Sequence, residues 1–391
     1  AIYDDQEPNK TYNGSGVDAN GMHSNDAKTM WAGVGEYPGD VWLKYELDQV
    51  YKLYQLKIWN YNEIEPGTDF APKDVNISYS VDNVTWKSLD ELQVFPRGTG
   101  ENTYKADIFV DMNGAIAKYV KLTFLSSYTD DLYTGGISEI RFLVIPTRAS
   151  APTPADKATN ADLDSIITWK AGRDADIHQI YIASDKDSVE NRDTAVMHET
   201  ADSNYPIALG LDKTYYWRVD EVNNAEAYAT WDGPVWQFST QKYVVVDNFD
   251  SGYGNDTNAD AIFLTWKDAG ELGNTSVNGS WMGRKSEPYL QTINHSANYS
   301  APMIYDNTSV SYSEVVAETS MLDIGSDWSK GNPNVLEIWF RSDANEVNEP
   351  VADKLYAAFN GGSRIYFDGD PTAIRKTLWT KFEVPLAGVN L

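Results

Sequence analysis

Hydrophobic and polar residues alternate with a period of two along short stretches of this chain. In VWLKYEL (41–47) the residues Val41, Leu43, Tyr45 and Leu47 share one face. The stretches YQLKIW (54–59), VNISYSV (75–81), KYVKLTF (118–124) and EIRFLVI (139–145) alternate likewise. Successive side chains of a strand point to opposite faces, so each run predicts a half-buried β-strand. Gly, Asn, Asp and Pro separate the runs and helical periodicity is scarce, which makes the chain all-β.

The texture changes at residue 146. PTRASAPTPADKATNADLD is rich in Pro, Ala and Asp, has little to bury, and predicts a domain junction. SIITWK, IHQIYIAS, KTYYWRVDEVN and VWQFST predict a second group of strands, and STQKY a second junction. Beyond it come YVVVDNFDS, a long polar stretch rich in Asn and Ser, and the strands NVLEIWF, KLYAAF and LWTKFEV. The pattern predicts three tandem β-sandwich domains, at 1–146, 147–241 and 242–391, with linkers short enough for a semi-rigid rod. No internal repeat joins them.

Composition narrows the function classes. A hydrophobic fraction of 42% supplies a core for each domain of the 391-residue chain, and the 25 Tyr and 13 Trp suit sheets and flat binding faces. A net charge of −27 repels nucleic acid and anionic lipid, and offers many carboxylates to Ca²⁺. There is no cysteine, hence no disulfide, thiol catalysis or Cys-ligated zinc. No apolar run approaches the roughly 18 to 20 residues of a membrane span, so no membrane insertion is expected. The expected location is extracellular or on the cell surface, with a signal peptide already removed.

The order NDAKTMWAG, GDVWLKYELDQVYKLYQLKIWNYN, DVNISYSVDNVTWKSL, AKYVKLTF and GISEIRFLVIP resembles the discoidin-like, galactose-binding-type sandwich of the coagulation-factor C-type family. Residues 147–241 resemble a fibronectin type III or Ig-like module, with Trp169 as its early core tryptophan and TYYWRVDEVN as its tyrosine-bearing strand. The third part, through VVVDNFDSG, APMIYDNTSVSYSEVV, LEIWFRSD and LWTKFEVPLAGVNL, resembles jelly-roll carbohydrate-binding-like domains. The tandem order resembles that of large secreted surface proteins of Planctomycetes-like environmental bacteria.

These resemblances imply sites. Asp26, Thr29 and Glu139 match the discoidin family's positions for a structural Ca²⁺; Ser24 replaces the usual first Asp, and Asp18 is the carboxylate placed to compensate. Without metal, the same residues close a hydrogen-bonded turn. Ligand binding in the family uses the loops at one end of the sandwich. There Asn60, Asn62 and Glu63 are expected to bond sugar hydroxyls, and Tyr37, Phe70, Tyr128 and Tyr133 to stack on a pyranose. The alternative is turn chemistry with aromatics covering the core. Acidic loops disfavour sulfated or uronic glycans there unless Ca²⁺ bridges the anions. In the third part Asp247 and Asp250 match a jelly-roll Ca²⁺ position, while Trp266, Trp281 and Trp328 are stacking candidates with core packing as the simpler reading. The stretch 274–309 carries Asn-x-Ser/Thr at Asn274, Asn278, Asn294, Asn298 and Asn307, acceptor sequons if exported proteins are glycosylated, with chance in an Asn- and Ser-rich loop as the simpler reading.

No nucleophile elbow, zincin helix, phosphate loop or dinucleotide fingerprint occurs, and the four histidines (His23, His178, His198, His295) are scattered. The expected protein is a non-catalytic glycan binder, part of a larger chain. The alternatives are a structural adhesin, stalk or filament subunit, and an enzyme whose site escapes recognition. In LWTKFEVPLAGVNL, Leu378, Phe382 and Val384 should face inward, and Lys381 and Glu383 outward. In the jelly-roll family two further strands follow. The expectation is therefore a fragment, or a neighbouring copy that supplies the missing strand.

Overall fold

The computed structural model describes residues 5–129, 133–250, 252–254, 259–283, 289–296, 298–343 and 354–389. The protein is all-β, with several sandwich-like sheets and a discoidin-like first domain. That domain is one hydrogen-bonded path of strands in the order Trp31–Gly35, Tyr133–Ile145, Val41–Asn60, Ile108–Phe124, Asp74–Ser80 and Lys87–Ser88. The short strand Gln93–Val94 also pairs with Asp74–Ser80.

The runs at 41–47 and 54–59 are one strand of 20 residues. Such a strand would extend about 65 Å if straight, so it has to bend to stay on one core. Register shifts between Glu46 and Tyr51 and between Leu53 and Gln55 accommodate the bend. They also change which positions face in: Val41, Leu43 and Tyr45 first, then Leu53, Leu56 and Ile58, all in one buried cluster with Val120, Leu122 and Phe124.

The second unit has two sheets, one ordered Ser150–Thr153, Ile167–Lys170, Asn204–Tyr205, the other Ala158–Ala161, Trp236–Thr240, Thr214–Val222, Ile177–Ala183, Met197–Thr200. Trp169, Trp217 and Trp236 meet in its core, with ring centroids 6.4 Å and 4.8 Å apart. The expected junction from 146 is corrected here. SAPT and ATNA inside it are strands of this unit, pairing with Ile167–Lys170 and Trp236–Thr240. Both are edge strands, where Pro and polar residues cost little, and that is why their composition looks like a linker.

The first two units are clamped together. The Arg148 guanidinium donates to the carbonyls of Val50 and Asp232, both at 2.9 Å, and lies 5.5 Å and 5.2 Å from the Tyr51 and Trp231 ring centroids. Lys52 pairs with Asp174 at 3.0 Å and Glu226 at 3.5 Å. Farther on, Leu211 N–H donates to Gly331 O at 3.2 Å, and Lys330 pairs with Asp164.

In the third part the described strands form two-stranded pairs, Trp266–Lys267 with Val316–Ala317, Ser280–Met282 with Met303–Tyr305, Val335–Phe340 with Thr380–Pro385, and Tyr356–Ala357 with Ile365–Tyr366. Phe382 and Val384 are buried, with Phe367 edge-on to Phe382 at 5.6 Å, while Lys381 faces out to Glu337 at 3.1 Å. Leu378 departs from the expectation: it is 73% exposed, because the strand begins only at Thr380.

Candidate functional site

The loop end of the first sandwich is organised by two asparagines. Asn60 ends the long strand. Its Nδ2 donates to the carbonyls of Pro72 at 3.0 Å and Pro96 at 2.6 Å, and its Oδ1 accepts from Tyr61 N–H at 2.9 Å. Asn62 Nδ2 donates to Glu101 O at 2.8 Å and Ser24 O at 3.3 Å, and its Oδ1 accepts from Gly100 N–H at 2.8 Å. Both are fully buried. The sequence suggested them as sugar ligands; fully buried, with their Nδ2 protons given to backbone carbonyls, they instead brace the loops. Gly98 permits this packing, since a Cβ there would lie 2.3 Å from Tyr61 O.

The aromatic candidates divide. Phe70 and Tyr128 pack on a small core of Met30, Ala32, Tyr61 and Ala71, and the Tyr128 hydroxyl donates to Phe95 O at 2.7 Å. They cover that core rather than present a free face. Tyr37 and Tyr133 are 67% and 38% exposed. Tyr133 opens its strand opposite Gly35, the last residue of the strand that leads to Tyr37, so the two rings belong to one end of the sandwich. Residues 130–132 of the expected loop lie outside the described residues. Glu63 is half-buried and accepts from the Tyr61 hydroxyl at 2.7 Å.

The expected calcium ligands lie around the turn at 24–29. Asp26 Oδ1 caps the short helical turn Ala27–Thr29 by accepting from Lys28 N–H at 3.0 Å. The Thr29 hydroxyl donates to Asp26 O at 2.7 Å and lies 3.1 Å from Ser24 Oγ. Asp18 does not take the place left by Ser24. Its Oδ1 closes its own turn, accepting from the N–H groups of Asn20 and Met22, both at 2.8 Å, and the Met22 bond is the main cause that lowers its pKa.

Glu139 is fully buried, with Oε2 accepting from Gly14 N–H at 3.3 Å. Desolvation pushes its carboxyl up to about 7, against the opposing pull of Arg141 and the Gly14 amide. Its Oε1 is 2.8 Å from an Arg141 nitrogen but receives no well-directed hydrogen bond. The Ser15 hydroxyl donates to Thr29 O at 3.3 Å, so the 14–15 turn links Glu139 to the Asp26–Thr29 turn. The under-coordinated Oε1 fits a hard cation; the Arg141 charge beside it competes for the same oxygen. Among the described residues no group of three or more His, Asp or Glu could hold a metal, so a cation here would rest on two carboxylates and neutral oxygens.

In the third part Asp247 and Asp250 are turned to protein donors. Asp247 accepts from the Tyr253 hydroxyl at 2.5 Å, Trp266 Nε1 at 2.7 Å and Phe249 N–H at 2.9 Å. Asp250 accepts from Asn298 N–H and Tyr299 N–H, both at 2.9 Å, and from Asn298 Nδ2 at 2.8 Å. Their oxygens are taken up by separate sets of protein donors. Trp266 and Trp328 pack internally, against Phe249 and Phe359, and Trp281 is half-buried. The sequon residue Asn278 is buried, with Nδ2 donating to Glu314 O at 3.0 Å.

One aromatic cluster escaped the sequence reading. The His295 ring stacks on Trp339 at 3.9 Å, and Trp379 stands edge-on to His295 at 5.9 Å. The signal was present: Trp339 occupies an outward position of NVLEIWF. The other histidines have separate settings, His23 in a buried turn beside Ser24 O, His178 buried against Glu221, and His198 bonded to the Tyr205 hydroxyl.

The first sandwich belongs to the discoidin-like class of domain. Within that class, residues 6–140 match the F5/8 type C domain, and the chain carries that domain. No curated protein matches the chain. Among solved structures, it is similar to the CBM32-1 module of a family 31 glycoside hydrolase from Clostridium perfringens, at 15% identity over 36% of this chain and 87% of that one, with a TM-score of 0.26. A fucose binding module from Streptococcus pneumoniae gives 15% identity over 36% and 85%, with a TM-score of 0.25. A family 89 glycoside hydrolase from Clostridium perfringens gives 14% over 34% and 12%, with a TM-score of 0.23.

Proposed function

We propose that the chain is a non-catalytic, secreted or cell-surface protein that binds carbohydrate through the loop end of its F5/8 type C domain. The carrying observation is the exposed pair Tyr37 and Tyr133 on a loop end whose asparagines are locked inward. A braced loop end reduces the backbone ordering needed on binding, and an aromatic face suits the axial C–H groups of a pyranose. Glu63, held by the Tyr61 hydroxyl, is the polar group we assign from the 60–70 loop. A Ca²⁺ at Asp26, Thr29 and Glu139 would stiffen the adjoining turn and take no part in chemistry. The second unit serves as a fibronectin type III-like spacer and the third as a jelly-roll-like module.

A glycan array with the intact chain tests this reading. Wild type binds a defined set of neutral or amino sugars, and a Tyr37→Ala/Tyr133→Ala variant with unchanged melting binds none of them. Equal binding by both refutes the assignment. The second reading is a structural surface protein: Arg148 and Lys52 fix the first two units together. Self-association through the Val335–Phe340 and Thr380–Pro385 pair belongs to that reading. Concentration-dependent growth in analytical ultracentrifugation would favour it.

A further inference from the structure

We infer that the outer face of the first sandwich is a second binding surface, built for an acidic polysaccharide. It lies on the sheet rather than on the loop end. Val41, Leu43 and Tyr45 face the core, as do Val120, Leu122 and Phe124, so Trp42, Lys44, Glu46, Lys121 and Thr123 face out. Inward positions run Ala115, Ala117, then Val120, and this slip of one residue turns both Lys118 and Tyr119 outward. The register sets Trp42 opposite Thr123, Lys44 opposite Lys121 and Glu46 opposite Tyr119.

Two lysines directly across a strand pair repel each other, and such a pair destabilises a sheet. Lys44 and Lys121 are that pair, with Lys118 close by. Little relieves them. Glu46 lies 3.3 Å from Lys118 and accepts from the Tyr119 hydroxyl at 3.1 Å. Lys44 donates to the neutral Asn83 Oδ1 at 3.2 Å. Asp82, in the same turn, folds its carboxylate back on Val84 and Thr85 N–H groups. Among the described residues Lys121 has no carboxylate partner; its ammonium lies 4.9 Å from the Trp42 ring. Lys44 and Lys118 lie 6.0 Å and 5.7 Å from the Tyr119 ring.

The chain has 58 acidic and 31 basic side chains, so a face where Lys44, Lys118 and Lys121 meet Glu46, with Asp74 at its edge turned to the Ser126 hydroxyl, runs against its overall charge. Charge complementarity therefore selects an anion. Trp42, 48% exposed, adds an aromatic face, and Ser78 and Asn76 continue the surface across the next strand with neutral hydrogen-bonding groups. Ammonium groups beside an open indole match a sugar polymer with spaced carboxylates. Duplex DNA, with one charge per about 1.7 Å, meets the repulsion of a chain at −27 more strongly than a polymer of spaced carboxylates does.

The test is affinity electrophoresis of the intact chain in gels containing polygalacturonate or, separately, neutral galactan. Polygalacturonate should retard wild type, and the retardation should fade between about 20 and about 200 mM salt. Lys44→Gln/Lys121→Gln should weaken that binding by ~10-fold or more while its melting temperature holds or rises, because the lysine repulsion is gone. Tyr37→Ala/Tyr133→Ala should leave it unchanged, which separates this surface from the loop end. No retardation of wild type, or equal retardation of the lysine variant, overturns the inference. So does equal retention by DNA, which would make the face a general polyanion surface.

Discussion

Asn60→Ala separates a structural role from a ligand role at the loop end. The alanine removes two donations, to Pro72 O and Pro96 O, and one acceptance, from Tyr61 N–H, all at a fully buried position. A typical hydrogen bond contributes about 1 kcal/mol net, and each buried group left without a partner costs about 1–3 kcal/mol. Relaxation and a trapped water recover part of this, so about 3–4 kcal/mol is expected. For a sandwich of this size that lowers its melting transition by roughly 10 °C. Calorimetry of the intact chain measures the shift, and hydrogen exchange of peptides covering 53–62 and 71–80 assigns the transition to the first unit. Glycan affinity of the folded fraction should be unchanged. A melting shift under about 3 °C combined with lost glycan binding would refute the reasoning, since it would mean that Asn60 meets the ligand.

Other predictions follow from the same contacts. Burial raises the Glu139 carboxyl to about 7, so the folded state holds a proton that the unfolded state has lost above about 4.5. In EDTA, stability should therefore fall as pH rises from about 4.5 to about 7, and Glu139→Gln should flatten that fall in denaturant titrations. If Ca²⁺ binds there, it should raise the melting temperature more at pH 8 than at pH 5, because it needs the carboxylate ionised. Arg148→Ala should loosen the first two units, read as a larger radius of gyration in small-angle scattering with both units still folded. Gly98→Ala forces a Cβ to within 2.3 Å of Tyr61 O and should lower the first transition as Asn60→Ala does.

The strands were legible where one face is buried and the other solvated, as at 41–47, 75–81 and 118–124, because the two-residue period records that asymmetry directly. The edge strands SAPT and ATNA were not, since an edge needs neither alternation nor a strong β propensity. The bend that merges 41–47 with 54–59 was also hidden. It depends on bulges set by the neighbouring strand Ile108–Phe124. At the site, residue type alone could not distinguish an asparagine that meets ligand from one that ties loops together. Asn60 and Asn62 are polar residues between turns in the sequence, and buried linchpins in the fold. Tyr37, Tyr133, Phe70 and Tyr128 read alike in the sequence, but the first two are exposed and the last two pack inward.

The most direct measurement is isothermal titration of the intact wild-type chain and of Tyr37→Ala/Tyr133→Ala with the strongest glycan from an array. The account predicts saturable binding by wild type and a loss of about 1–3 kcal/mol, tenfold or more, in the variant at unchanged melting temperature. Equal affinity in the two proteins, or no glycan bound by wild type, would contradict it.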